Sequence, residues 1–280
     1  MERFENNIYE GERAMYNKHD AFFNNCVFQN GESPLKACSN IIVENSTFSW
    51  KYPMWYSNNI TVNNCTLLEM ARSGIWYTTN ITFNRCNIVA PKLFRRASKI
   101  VLNNTDLPNA QETLWNCEDI EINNMHAVGD YFGMNSNNIR INDFKLDGNY
   151  AFDGASNIEI HNAYMNSKDS FWKCENVIVY DSTIIGEYIG WNSRNLTFVN
   201  CHIESNQGLC YIEGLKMINC TLENTDLCFE RCSNIDADIK GHVISIKNPY
   251  NGIIKVDSVD EIILHDDIVD KSKTKIIIGE

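Results

Sequence analysis

The decamer NITVNNCTLL, residues 59–68, returns as NITFNRCNIV at 80–89, NLTFVNCHIE at 195–204 and GLKMINCTLE at 214–223. With the asparagine of NITV as position zero, the equivalent residues are Asp20, Asn40, Asn59, Asn80, Lys99, Asp119, Asn138, Asn157, Asn176, Asn195, Gly214 and Asn234, separated by 19 to 21 residues. A repeat this regular means a chain built from stacked copies of one small unit. A period this short leaves no room for a helix, since even a short one would use about half of it. The chain must therefore coil as strands alone.

Position plus one is apolar in almost every copy (Ile41, Ile60, Ile81, Ile100, Ile120, Ile139, Ile158, Val177, Leu196), and so is position plus three (Val43, Val62, Phe83, Leu102, Ile122, Ile141, Ile160, Val179, Phe198). Position plus two is mixed, with Thr61, Glu121, Arg140 and Lys216. That alternation is a strand with one buried face. Small residues at plus six and large apolar ones at plus eight predict a second short strand after a bend. A third inward row lies five before zero, at Leu35, Met54, Ile75, Phe94, Leu114, Phe152, Phe171, Leu209 and Phe229. The polar pair at plus four and plus five, such as Asn123 and Asn124, predicts a corner ladder, because asparagine tolerates left-handed backbone and its amide can bond the copy above.

These columns predict an all-β, single-domain right-handed parallel β-helix of eleven to twelve turns, with three short strands per turn and about 4.8 Å between turns. The expected organisation is an N-terminal cap over 1–19, the helix over 20–240, and a C-terminal cap over 241–280 holding a β-hairpin around Asn248-Pro249-Tyr250-Asn251-Gly252. Two other solenoids compete. The spacing also fits a leucine-rich repeat, but that repeat wants leucine where this chain has small residues two before zero. A left-handed hexapeptide helix would show an 18-residue turn, which is absent.

The pattern over 20–240 resembles the pectate-lyase-like right-handed β-helix superfamily. The ends, EGERAMY at 10–16 and SIKNPYNGIIKVDSVDEIILHDDIVDKSKTKIII at 245–278, resemble those of an uncharacterised bacterial family known only by a domain-of-unknown-function label. The resemblance implies the fold and no particular activity, since no catalytic motif of the superfamily is matched. If the protein is an enzyme, it implies a lyase or glycosidase using carboxylates from adjacent turns, with a calcium ion and a basic residue in the lyase case. Otherwise no cofactor is expected.

The chemistry is expected four residues before zero, where Lys36, Trp55, Trp76, Arg95, Trp115, Met134, Asp153, Trp172, Trp191, Cys210 and Glu230 share one column. A buried row could not also hold unpaired charges, so this column should face out. Five of the six tryptophans lie in it, and Tyr56 and Tyr77 stand beside it. Such a strip predicts an interaction surface. The candidate substrate-binding residues are Trp55, Tyr56, Trp76, Tyr77, Arg95, Trp115, Trp172 and Trp191, with an oligosaccharide as partner because sugar rings stack on aromatic faces. The competing expectation is a scaffold or homo-oligomer using the same surface as its interface. The candidate catalytic residues are Asp153, Asp169 and Lys173, from consecutive turns beside that column.

The net charge of -12 argues against a nucleic-acid partner, whose affinity rests on neutralised phosphates. No run is apolar enough to span a membrane, and the first twenty residues lack the apolar stretch of a secretory signal, which predicts a cytoplasmic protein. Nine of the eleven cysteines fall in the two small inward columns, as packing residues would. They lack the neighbouring histidines of a metal site, and none is expected.

Overall fold

The computed structural model describes residues 1–279. They fall into two compact units, Met1–Lys145 and Leu146–Glu280. Each is a parallel β-solenoid almost free of helix, as the repeat predicts.

In the first unit the six-residue strands Ser39–Glu44, Asn58–Asn63 and Thr79–Asn84 stack in parallel with Ile41 on Ile60 on Ile81, and Val43 on Val62 on Phe83. In the second, Ile158 lies on Val177, Val177 on Leu196 and Leu196 on Leu215. These columns are fully buried. The hydrophobic effect thus acts once per rung at the same two positions, which locks the register, since a slip of one residue would turn the whole row outward.

The corners follow from backbone preference. Residues at zero and plus five, such as Asn59, Asn64, Asn80, Asn104 and Asn124, have φ near +50 to +56°. Asparagine is among the few side chains that adopt this conformation readily. The amides then bond from rung to rung: Asn84 Nδ2 donates to Asn63 Oδ1 at 2.9 Å, Asn103 to Asn84 at 2.9 Å and Asn123 to Asn103 at 2.9 Å. A second ladder at position zero, Asn59 to Asn40 at 2.7 Å and Asn80 to Asn59 at 3.1 Å, was not foreseen. Asn124 has φ +55° and donates to Asn104 at 2.8 Å. Asn124→Val is therefore expected to cost about 2 kcal/mol, the left-handed penalty plus part of a hydrogen bond, and Asn124→Gly about half of that. Paired denaturant curves measure the difference.

The third strand of each turn forms only in places. Ile75–Trp76 pairs with Phe94–Arg95, but elsewhere this leg is mostly turns. Where Leu114, Phe152, Phe171, Leu209 and Phe229 occupy the inward position, they have φ of 55 to 65°, flanked by left-handed residues on either side. Alternating left-handed residues cannot make an extended strand.

Both expected caps are themselves rungs. Glu2–Glu5 pairs in parallel with His19–Asn24, and Ile8–Tyr9 with Val27–Phe28. Phe4 stacks on Phe23 at 5.0 Å. At the other end there is no hairpin: Ile235–Lys247 pairs in parallel with Gly252–Ile263, which pairs in parallel with Thr274–Ile278. The partners there, Ile235 with Gly252 and Gly252 with Thr274, lie 17 and 22 residues apart. Leaving the 19-to-21 spacing hides these rungs from a period search. The turns of the two units together number about 15, more than the eleven to twelve expected, because both ends coil.

Candidate functional site

In the first unit the inward Met54, Ile75, Phe94 and Leu114 are fully buried, and the next residue on each rung, Trp55, Trp76, Arg95 and Trp115, is half-buried. The expected outward column is real, but its indoles are half-buried rather than free. Their nitrogens explain why. Trp76 Nε1 donates to the Lys92 carbonyl at 3.3 Å and Trp115 Nε1 to the Tyr131 carbonyl at 2.7 Å, each reaching to the following rung. Trp55 bonds Ser73 O in the same way. One edge of each ring is thereby pinned.

The rings stack at the rung spacing. Trp55 and Trp76 are parallel within 7° at 5.1 Å, and Tyr56 and Tyr77 within 6° at 4.8 Å. Tyr56 is 53% and Tyr77 39% exposed, so the tyrosines form the outer edge. Cations bracket both stacks. Lys36 Nζ lies 6.0 Å from the Trp55 ring and 5.6 Å from Tyr56. Arg95 sits between two indoles, its Cζ 5.1 Å from Trp76 and 4.5 Å from Trp115. Arg96 lies 5.9 Å from Tyr77.

Arg95 and Lys92 both pair with Glu112, at 2.8 and 3.0 Å. Glu112 and Lys92, which sit in the column seven before zero, were missed by the sequence reading because that column looks like ordinary polar corner. A shallow cleft of about 150 Å³ opens between Trp76, Tyr77, Arg95, Arg96, Trp115 and Asn116. Two arginines and three aromatic rings there suit a planar or ring-shaped ligand with negative charge.

In the second unit the candidates form a different arrangement. Trp172 and Trp191 meet edge to face at 68° and 6.4 Å, with Tyr188 and Tyr211 against Trp191 at 5.2 and 4.9 Å. Trp191 Nε1 donates to the Gln207 carbonyl at 2.7 Å. The next member of the column, Cys210, is buried rather than outward, because its thiol bonds the Gly208 carbonyl at 3.3 Å. A small thiol can turn in where an indole cannot. Glu230 is half-buried and pairs with Lys247 at 3.2 Å.

Asp153 and Asp169 stand on adjacent rungs of this unit, and Lys173 is exposed beside them. Burial raises the pKa of Asp153, opposed by Lys173. Burial also raises that of Asp169, opposed by Lys168 and reinforced by Glu187 and Asp153. Lys168 in turn holds Glu187 at 3.1 Å. All eleven cysteines are free and buried, and desolvation pushes the Cys117 thiol up to about 12, as packing residues require.

No match was found among curated proteins. Among solved structures, PfbA, a surface adhesin of Streptococcus pneumoniae, superposes with a TM-score of 0.50 at 10% identity, over 80% of this chain and 82% of that one. The A-module of mannuronan C-5 epimerase AlgE4 from Azotobacter vinelandii superposes with a TM-score of 0.45 at 12% identity, over 88% and 87%. At such identity the likeness concerns the fold alone, a parallel β-solenoid. The family model described as Protein of unknown function (DUF3737) matches residues 2–277, nearly the whole chain, and the chain belongs to that family.

Proposed function

We propose that the protein binds an oligosaccharide along the wall of its first unit, over the stacked column of Trp55, Trp76 and Trp115, with Tyr56 and Tyr77 as its outer edge. The observation that carries this reading is the cleft at Arg95, a guanidinium held between two indoles with Arg96 alongside. Aromatic faces take the apolar side of a pyranose, while guanidinium groups take hydroxyls and carboxylates in paired hydrogen bonds. On a chain of net charge -12, a local cluster of Lys36, Lys92, Arg95 and Arg96 with Glu112 as its partner selects an acidic sugar over a neutral one.

The test is a titration of acidic and neutral oligosaccharides of matched length, followed by tryptophan fluorescence. Saturable binding of the acidic series, weakened by salt, is the expected result. No response to any glycan, together with a solution mass above the 32.2 kDa of one chain that falls to it on Trp76→Ala, would assign the wall to a subunit interface instead.

A further inference from the structure

The second unit carries polar groups that its own fold leaves unanswered. Asp169 is only 4% exposed, yet its carboxyl has no hydrogen bond and no ion pair among the described residues. Three residues along the same rung, Trp172 Nε1 is buried without an acceptor, and Ser167 Oγ, on a residue 1% exposed, is also unpartnered. Trp172 departs from the rule of its column. Trp55, Trp76, Trp115 and Trp191 all donate to a carbonyl of the following rung, and Trp172 does not. One rung earlier, below Trp172, stands Asp153, also without a hydrogen bond. The rungs are joined there by Gly154 N–H to the Trp172 carbonyl at 2.8 Å, and Asp169 N–H bonds the Glu187 carbonyl at 2.8 Å.

Buried polar groups in folded proteins are nearly always paired, so two unpaired ones within six residues, Ser167 Oγ and Trp172 Nε1, call for an explanation. Packing supplies none, because a buried polar atom without a partner opposes folding. The set combines acceptors (the two carboxyls) with a donor (the indole N–H). An ammonium group would answer the carboxyls and leave the indole unpaired. A phosphate would answer the indole and be repelled by Asp153, Asp169 and Glu187. A hydroxyl both donates and accepts, and so satisfies both kinds at once.

We propose that Asp153, Asp169 and Trp172 form a second binding site, for a neutral hydroxyl-rich ligand such as a sugar ring, whose hydroxyls donate to the carboxyls and accept from Trp172 Nε1. Ser167 Oγ adds a further hydroxyl contact. All its residues lie in Leu146–Glu280, so this site stands or falls independently of the wall of the first unit.

The experiment uses the full chain labelled with ¹⁵N, titrated with glucose, mannose and maltotriose, and follows the Trp172 indole N–H resonance, identified by its loss in Trp172→Phe. A saturable shift of that resonance by at least one neutral sugar is expected. Asp169→Asn should weaken that sugar about tenfold and at the same time raise the melting temperature at neutral pH, because it removes a partly desolvated charge. The pH dependence has a definite sign. Asp169 faces Lys168, Glu187 and Asp153, and Asp153 faces Lys173, and burial raises both carboxyls above the ordinary 3.8. A raised carboxyl pKa costs stability once the group ionises, so wild type should lose stability relative to Asp169→Asn as pH rises above 3.8. Trp172→Phe keeps a ring and removes the N–H, and isothermal titration should show it weakening sugar binding even if Asp169→Asn were to misfold. The proposal is overturned if the Trp172 resonance stays put with every neutral sugar, if ethanolamine moves it and sugars do not, or if both variants bind as wild type does.

Discussion

Phe171→Ala is expected to destabilise the Leu146–Glu280 unit by about 3 to 5 kcal/mol, the range for a large aromatic truncated in a packed core. Phe171 is fully buried, stacked on Phe152 at 5.6 Å and 9°, and edge-on to Phe198 at 6.4 Å and 69°. Each ring has its principal neighbours on the rungs above and below, so removing one leaves a gap that only those rungs can close. They cannot close it far, because the backbone ladder holds rungs at a set spacing. Phe171→Leu, which keeps most of the volume, should cost less than half as much. Guanidinium unfolding monitored by near-ultraviolet dichroism gives the difference, and hydrogen exchange should place the loss of protection on the neighbouring rungs first. A cost below about 1 kcal/mol would mean that the stacked column is not the core it is taken to be.

Trp76→Ala carries the largest expected effect on binding. Trp76 sits at the centre of the first unit's wall, stacked on Trp55 and covering one face of Arg95. Its loss removes the ring that links Trp55 to Arg95 and frees the guanidinium on that side, two changes that each weaken a preorganised site. A central aromatic anchor of this kind is worth about 2 kcal/mol or more, or roughly a 30-fold loss in affinity for the acidic oligosaccharide. Trp50→Ala is the control, since Trp50 lies outside the column and meets Lys51 instead, at 5.4 Å. Isothermal titration with both variants checks the contrast. If Trp76→Ala binds within about twofold of wild type, a difference too small for a central anchor, the wall is not the sugar site. Arg95→Lys should fail to restore an Arg95→Ala loss, because a lysine cannot fill a planar slot between two indoles.

The family resemblance of the two ends agrees with the family match, although it was carried by short stretches. The same ends were misread structurally. Glu2–Glu5 sits at the ordinary 19-residue spacing but has no strong copy of the decamer, and beyond the rung at Asn234 a period search passes over rungs that are 17 or 22 residues apart. Pairing between rungs depends on strand direction and spacing, and a turn-like Asn-Pro-Tyr-Asn-Gly says nothing about which way the next strand runs. In the candidate site, Trp55, Trp76 and Trp115 fell where the column predicted, but their half-burial did not follow from the sequence. It depends on each indole finding a carbonyl on the following rung.

The amino-acid sequence by itself determined the solenoid, the two inward rows and the asparagine corners, because period, side-chain alternation and left-handed preference are local properties that repeat. Only the tertiary structure decided which polar groups of that frame are answered. Whether Arg95 lies between two rings, whether Trp172 finds the carbonyl that its column mates find, and whether Asp169 keeps water or loses it are all set by distances between rungs, and no single rung's sequence encodes them.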